Sequence, residues 1–438
     1  LISSVSFSHP ILPYPPGNCK EKAVFRPQNF RFTDGAEFAI MTCNDFVAFC
    51  REVTRLREIF RAIREFVRKA DMVLLALCVT ATVFGIVVIS SATNYIGNAR
   101  YIRTQTLALI LGIIVYVILT LIDVDIIAER RELLLIFSVL FIGMLKIWGS
   151  ERGGNKSWLD FPFLPFNIQP AEICKIFYIL ILAKVISVEE NKISSPLTVM
   201  KLAGITMLLA GEIILVSDDL GVALCYVFIF IIMAYVGGVN FMWFLAGLGA
   251  VAVASPFLWS RMRDDQRNRI LVIFDQTIDP KAQGVRYQMN RSIRALQNGG
   301  ITGQGLYHGS MIQSNSLPEQ HNDLIFSSIG EELGLLGCLA VLILLTAIII
   351  RIIHVGIRSG NNMNRLICVG IAGMLASQTI INVGVCLGIF PVVGLTLPFF
   401  SYGGSSIVTM FLAMGIVSGI HMRPAPDISA MYIRPKLN

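Results

Sequence analysis

The sequence predicts an all-α integral membrane protein: about ten transmembrane helices, both termini cytoplasmic, and one long extracytoplasmic loop before the eighth span. Three observations carry this reading. Of 438 residues, 55% are apolar and only 15% charged, whereas a soluble domain carries about 25% charge. Mean hydropathy is +0.68. The apolar residues gather in runs of roughly 20, the length that crosses a bilayer. An ordinary cytosolic globule, a disordered chain and a secreted disulfide scaffold are thereby excluded. The net charge of +7 sits beside apolar runs, so lipid head groups and not nucleic acid are the expected partners. The cysteines, among them Cys78, Cys174, Cys225, Cys338, Cys368 and Cys386, include no CxxC pair; they read as small buried hydrophobes.

Residues 1–50 read as a leader that lacks periodicity and is expected to be disordered. It lacks a signal-peptide pattern, and Met41 stands shortly before the first patterned segment, so translation is expected to start either there or at Leu1. Residues 51–70 place apolar residues at helical spacing opposite Arg and Lys, which predicts an amphipathic juxtamembrane helix. Spans are predicted near 72–93, 101–122, 133–149, 171–188, 198–216, 220–237, 241–259, 324–350, 366–389 and 403–421 within a polytopic domain over 71–422, followed by a cytoplasmic tail over 423–438. Arg and Lys before the first span set the N-terminus inside. The connection over 260–323 then lies outside although it carries Arg261, Arg263, Arg267, Arg269, Lys281, Arg286, Arg291 and Arg294. A loop of that length usually has a function.

Charged residues inside or beside spans narrow the search, because a charge at the bilayer centre costs roughly 2.5–3.5 kcal/mol. Glu172 and Lys175 stand three apart at the outer end of the fourth span, after a Gly- and Pro-rich loop holding Trp158 and ending at Pro170, which suits a helix first turn. They form either a local ion pair or a polar cluster facing a cavity. Lys201 and Glu212 lie in the fifth span, and Glu331 and Glu332 in the eighth. Asp218 and Asp219 sit in the outer turn between spans five and six. Glu319, His321 and Asp323 crowd the point where the chain re-enters the membrane. There, low dielectric raises a carboxyl pKa and makes a better base, while Asn322 or Asp323 could equally cap span eight. The LPFFSYGGSS run at 397–406 reads as close helix packing or as backbone N–H groups for an anion. Arg286, Arg291 and Arg294 offer bidentate phosphate contacts, or the polar face of a helix lying on lipid.

Taken together, LPFFSYGGSS, PEQHNDLIFSSIGEELG, NIQPAEICK, DDLG and GGITGQG, in that arrangement of outer segments, resemble the RodA/FtsW/SpoVE family of SEDS peptidoglycan glycosyltransferases from about residue 70 to 422. The resemblance implies polymerisation of lipid II, the undecaprenyl-diphosphate-linked disaccharide-peptide, into β-1,4 glycan on the outer face of the cytoplasmic membrane. It puts the essential aspartate on Asp323 and substrate-binding groups on Trp158, Glu172, Lys175 and Asp219, to which Arg286, Arg291 and His321 are added as candidates from the residues. It also implies a class B penicillin-binding protein as partner, and makes Mg²⁺ or Mn²⁺ an expected cofactor with Asp323 as its ligand. Departures from the family pattern are Asn322, Ala171, Asp218, the QNGGITGQG run and Gly309-Ser310-Met311. INVGVCLGIFPVVG leans towards elongation-type members. The competing reading is a lipid II flippase or precursor transporter, suggested by Glu172, Lys175, Lys201 and Glu212; a transporter would carry inverted repeats, and none is evident.

Overall fold

The structure is a computed structural model that describes residues 57–58, 61, 64–152, 155–161, 166–262, 264–274 and 285–423. The chain divides into two compact units, Leu1–Arg68 and Lys69–Asn438. Of the first, only helical residues between 57 and 68 are described, so the predicted leader over 1–50 and much of the juxtamembrane helix lie outside the described residues, as does the tail beyond 423.

The second unit is mostly helical. In chain order it comprises α1 (Met72–Ala92), α2 (Ala99–Leu121), α3 (Val124–Glu129), α4 (Arg131–Gly143), α5 (Leu145–Trp148), strands β1 (Gly149–Arg152) and β2 (Asn155–Leu159), then α6 (Pro170–Val188), α7 (Pro196–Ser217), α8 (Leu220–Val236), α9 (Phe241–Arg261), α10 (Asp264–Phe274), α11 (Val285–Gly299), α12 (Ser310–Gln313), α13 (Ile325–Arg358), α14 (Asn362–Cys386) and α15 (Gly404–Met422). Among the described residues six helices, α1, α2, α7, α13, α14 and α15, are long and apolar enough to cross a membrane. The other predicted span positions also carry helices, with clear reasons for falling short of that measure. The segment at 133–149 breaks at Met144 into α4 and α5; α6 carries Glu172, Lys175 and Lys184; the apolar parts of α8 and α9 are shorter, and α9 contains Pro256. The loop read between spans three and four is a hairpin, with β1 and β2 paired antiparallel and Leu159 bridged to Ile168.

Caps follow the sequence closely. Asp71, Ser195, Asp219 and Asn361 accept from backbone N–H groups at the starts of α1, α7, α8 and α14, satisfying donors no helical carbonyl can reach. Pro170 opens α6 as expected. At the start of α1, Asp71 is also paired with Arg351 of α13 at 2.8 Å, while its backbone carbonyl accepts from Tyr116 of α2. The core is centred on α14 and α15, whose spans are 78% buried against 33–39% for the other four long helices. Close approach depends on small residues: Gly112 of α2 meets the Phe411 ring of α15, and Gly415 of α15 meets the backbone of Tyr116.

One irregularity governs the outer half of α13. At Gly334 the backbone turns to φ 66°, ψ −165°, a conformation open only to glycine. The helical ladder opens there, and its freed groups are met by the GGITGQG loop. Gln304 and Gly305 donate to the carbonyls of Glu331 and Glu332, while Leu335 and Leu336 donate to those of Gly300 and Ile301, at 2.9–3.2 Å. Backbone crosses backbone so tightly that a Cβ on Gly303 would lie 2.2 Å from the Glu332 carbonyl oxygen.

The two glutamates beside this kink are occupied as well. Both Glu331 carboxylate oxygens accept from the first N–H groups of α12, Met311 and Ile312, at 2.9 and 3.1 Å. Glu332 accepts from Ser91 at 2.6 Å, from the Tyr307 N–H and from Gln313. They anchor the 304–313 segment to the end of α1 and are not free intramembrane charges.

Candidate active site

The turn from Glu319 to Asp323 lies just before α13, and its shape is set by unusual local geometry. Glu319 adopts φ 45°, which lets its carbonyl accept from the N–H groups of both Asn322 and Leu324. The Asn322 side chain donates to the Glu319 carboxylate at 2.7 Å. The position that would cap α13 is Leu324, and no side chain caps it. Neither Asn322 nor Asp323 serves as a cap, so that reading of the segment is corrected: the free carboxylate of Asp323 is not consumed by its own helix.

Four successive carbonyls of this turn are held from outside it. Gln320 O accepts from Ser328, His321 O from the Tyr402 N–H, Asn322 O from the Ser401 hydroxyl, and Asp323 O from the Asn382 amide, at 2.7–2.8 Å. Gln320 also reaches across to the Ala92 carbonyl at the end of α1, at 2.6 Å. Two of these holds come from LPFFSYGGSS, which is itself fixed by Gln105 of α2, donating to Ser401 O and accepting from Gly403 N–H. That run therefore supports the turn as well as packing α15.

With its backbone pinned, Asp323 presents a carboxylate with no hydrogen-bond donor set against it among the described residues. The residue is half-buried, and its pKa is pushed up to about 7, chiefly because burial strips the carboxylate of water, with the negative charges of Glu319 and Asp219 adding to the effect. A group that is ionised near neutrality yet under-solvated suits a general base. The irregular segment at 391–396 passes beside it; a Cβ on Gly394 (φ 70°) would lie 3.7 Å from the Asp323 Oδ2.

Asp219 borders the same region. It is buried, caps α8 through the Val222 N–H at 3.0 Å and accepts from Gln169 at 3.3 Å. Burial lifts its pKa to about 6, opposed by the bond from Val222. The Ser157 hydroxyl of β2 lies close to this carboxylate without completing a geometrically sound hydrogen bond. Strand side chains alternate, so Trp158 projects from the opposite face of the hairpin; it is half-buried and pairs with Ser150. Glu172 and Lys175 form an ion pair at 2.6 Å, with Lys175 wholly sealed from solvent. They sit behind Asp219, whose titration both influence, and Lys175 makes no surface a substrate could touch. Lys201 is paired with Glu189 at 3.8 Å and partly exposed near the start of α7, and is not a mid-bilayer charge.

His321 packs edge-on to Tyr101 at 5.1 Å and tilted to Tyr402 at 5.7 Å; burial lowers its pKa, leaving the ring neutral at pH 7. Arg286 and Arg291 lie half-buried on α11, with the Arg291 guanidinium 5.1 Å over the Tyr287 ring. The helix does not simply lie on lipid. Ser292 bonds Ser327 of α13 and the Cys386 carbonyl of α14 at 2.6 and 2.8 Å, and Leu296 packs on Gly330. The residues that sequence reasoning missed are Gln320, Asn382 and Ser401. Asn382 carried a signal: an amide inside an apolar run must find partners.

Residues 71–425 match the model of the FtsW/RodA/SpoVE family, described as cell cycle protein. The chain belongs to this family. It is similar to the probable peptidoglycan glycosyltransferase FtsW of Geobacter metallireducens, 31% identical over 374 residues that cover 82% of this chain and 96% of that relative. It is also similar to the peptidoglycan glycosyltransferase MrdB of Escherichia coli K12, 30% identical over 357 residues, covering 80% and 93%. A solved structure from work on the coordination of polymerization and crosslinking by a peptidoglycan synthase complex superposes with TM-score 0.69 at 29% identity, covering 82% of this chain and 99% of that one. The Thermus thermophilus rod shape determining protein RodA gives 0.61 at 26%, covering 82% and 98%. With its apolar helices, family membership makes the protein a multi-pass membrane protein.

Proposed function

We propose that the protein is a peptidoglycan glycosyltransferase that polymerises lipid II into β-1,4 glycan with Asp323 as general base. The observation that carries this is the uncapped, donor-free carboxylate at the head of α13, pinned by four backbone holds. Asp323 takes the proton from the acceptor sugar's 4-hydroxyl as that oxygen attacks the anomeric carbon of the lipid-linked chain. The new C–O bond forms as the bond from the anomeric carbon to the diphosphate oxygen breaks, and undecaprenyl diphosphate departs. A single displacement inverts the α-linked donor to the β linkage.

The departing diphosphate gathers negative charge that the site must meet. Half-buried Arg286 and Arg291 on α11 are the cations assigned to it, since Lys175 is sealed. Asp219 and His321 border the substrate path, Trp158 lies on the hairpin face away from Asp219, and Glu172 with Lys175 supports Asp219 from behind. Among the described residues no cluster of three or more His, Cys, Asp or Glu could hold a metal ion. A magnesium-type ion, however, needs only one or two carboxylates plus substrate phosphates, and the donor-free carboxylate of Asp323 fits that role. Such an ion, Mg²⁺ or Mn²⁺, would supply charge neutralisation on the diphosphate.

The reading includes ten spans with both termini inside, the Asp323 turn on the outer face of the cytoplasmic membrane, and a class B penicillin-binding protein as partner. Identities of 31% to FtsW and 30% to MrdB leave division and elongation equally supported. The test is polymerisation of lipid II by the purified protein, with and without a chelator, beside Asp323→Asn. The wild type yields glycan ladders and the folded variant none; equal polymer from both would overturn the assignment.

A further inference from the structure

Resting on Asp323 as the base, we propose that Asn382 is a positioning residue for the transfer reaction: its amide ties the backbone of Asp323 to that of Leu395 and thereby sets how deep the carboxylate lies beneath the 391–396 segment. Asn382 stands on α14 and is 1% exposed. Its Nδ2 donates to Asp323 O at 2.8 Å and to Leu395 O at 2.7 Å. Two carbonyl acceptors can be met only by the NH₂ end of the amide, so its orientation is fixed by its partners. Its Oδ1 is buried with no hydrogen-bond partner. An unsatisfied buried acceptor is destabilising, and a leucine of similar volume would avoid it. Departures of this kind from good packing chemistry concentrate at functional sites.

The two tethered carbonyls belong to segments that both touch the reaction centre. Leu395 follows Gly394, the residue facing the Asp323 carboxylate, and Val393 packs its carbonyl on Gly221 in the first turn of α8, next to Asp219. One amide therefore links the turn bearing the base, the strip above it and, through that strip, the helix start capped by Asp219. The neighbouring carbonyls of the turn are held by other groups; Asn382 holds that of Asp323, with only the long 3.8 Å contact from the Cys386 thiol beside it.

The titratable groups facing Asp323 among the described residues are Glu319 on its own turn, Asp219 at α8 and the Cys386 thiol on α14, with His321 two residues before it. None is removed by changing Asn382. Releasing the amide lets the turn and the strip separate, so the carboxylate is no longer held at one place beneath the strip.

The experiment is steady-state lipid II polymerisation by the full chain in detergent, for wild type, Asn382→Leu, Asn382→Ala and Asn382→Gln, with folding checked by Tm. Expected for folded Asn382→Leu or Asn382→Ala is a kcat at least tenfold lower with a KM for lipid II within twofold of wild type, and for Asn382→Gln, which keeps the amide donors, a kcat recovered to within threefold. Unchanged kcat overturns the proposal, as does a kcat lost equally in all three variants, which is the mark of a merely structural loss. The alanine variant decides if the leucine variant fails to fold. Asp323→Asn as active as wild type would instead sink the assignment of Asp323 as base, so the two failures are distinguishable.

Discussion

Replacing Asp323 with asparagine should stabilise the protein while abolishing its activity. The carboxyl ionises at about 7 in the folded chain against a reference of 3.8, because the fold strips it of water and sets Glu319 and Asp219 nearby. A displacement of that size corresponds to roughly 4 kcal/mol between the protonation states. An acid whose folded pKa is raised makes the native state less stable as pH rises. The unfolded chain gives up the proton from about pH 4 upwards, while the folded chain keeps it until about 7. The whole penalty is therefore present above pH 7 and absent below about pH 4. Asparagine keeps the shape and never ionises, so it removes the penalty. Thermal unfolding in detergent at pH 8 and pH 4 should give Asp323→Asn a higher Tm at pH 8 and an equal one at pH 4. A gain of the same size at both values, or none at pH 8, would refute the argument that desolvation of this carboxylate is what tunes it. Activity held at the expense of stability is a common trade at reaction centres.

Other substitutions probe the supports. Glu319→Gln removes a negative charge beside Asp323 and should move the acid limb of the polymerisation profile to lower pH, read from rates over pH 5 to 8. Gly303→Ala forces a Cβ to within 2.2 Å of the Glu332 carbonyl at φ 78°. It should lower stability by more than about 1 kcal/mol and depress activity by unseating the kink of α13, as Tm and turnover will record. Glu172→Gln strands the sealed Lys175 ammonium and should cost about 3–5 kcal/mol; adding Lys175→Met should recover part of the lost Tm.

Much of this architecture can be read from local pattern. The apolar runs mark the helices, Pro170 and Asp219 mark helix starts, and the carboxylate at 323 stands out at a membrane edge. What escaped is non-local. Whether Asp323 caps its helix depends on the φ of Glu319 and on grips from α14 and the 397–403 run, none of which lies in the local pattern. Glu331 and Glu332 look like charges adrift in a span, yet their partners are the start of α12 and the end of α1, and the Gly334 kink makes room for them. The hairpin at 149–159 hides behind glycines that read equally well as loop. The resemblance makes Lys175 a substrate-binding group, but tertiary packing closes it off. Asn382 was visible as an amide in an apolar run, but its two carbonyl partners come from segments 59 and 13 residues away.

The most direct measurement is the rate of lipid II polymerisation by the wild-type chain as a function of pH. The expected profile shows a single ionisation near pH 7 below which the rate falls tenfold per unit, with a plateau above it. A rate that stays level down to pH 5 would contradict it.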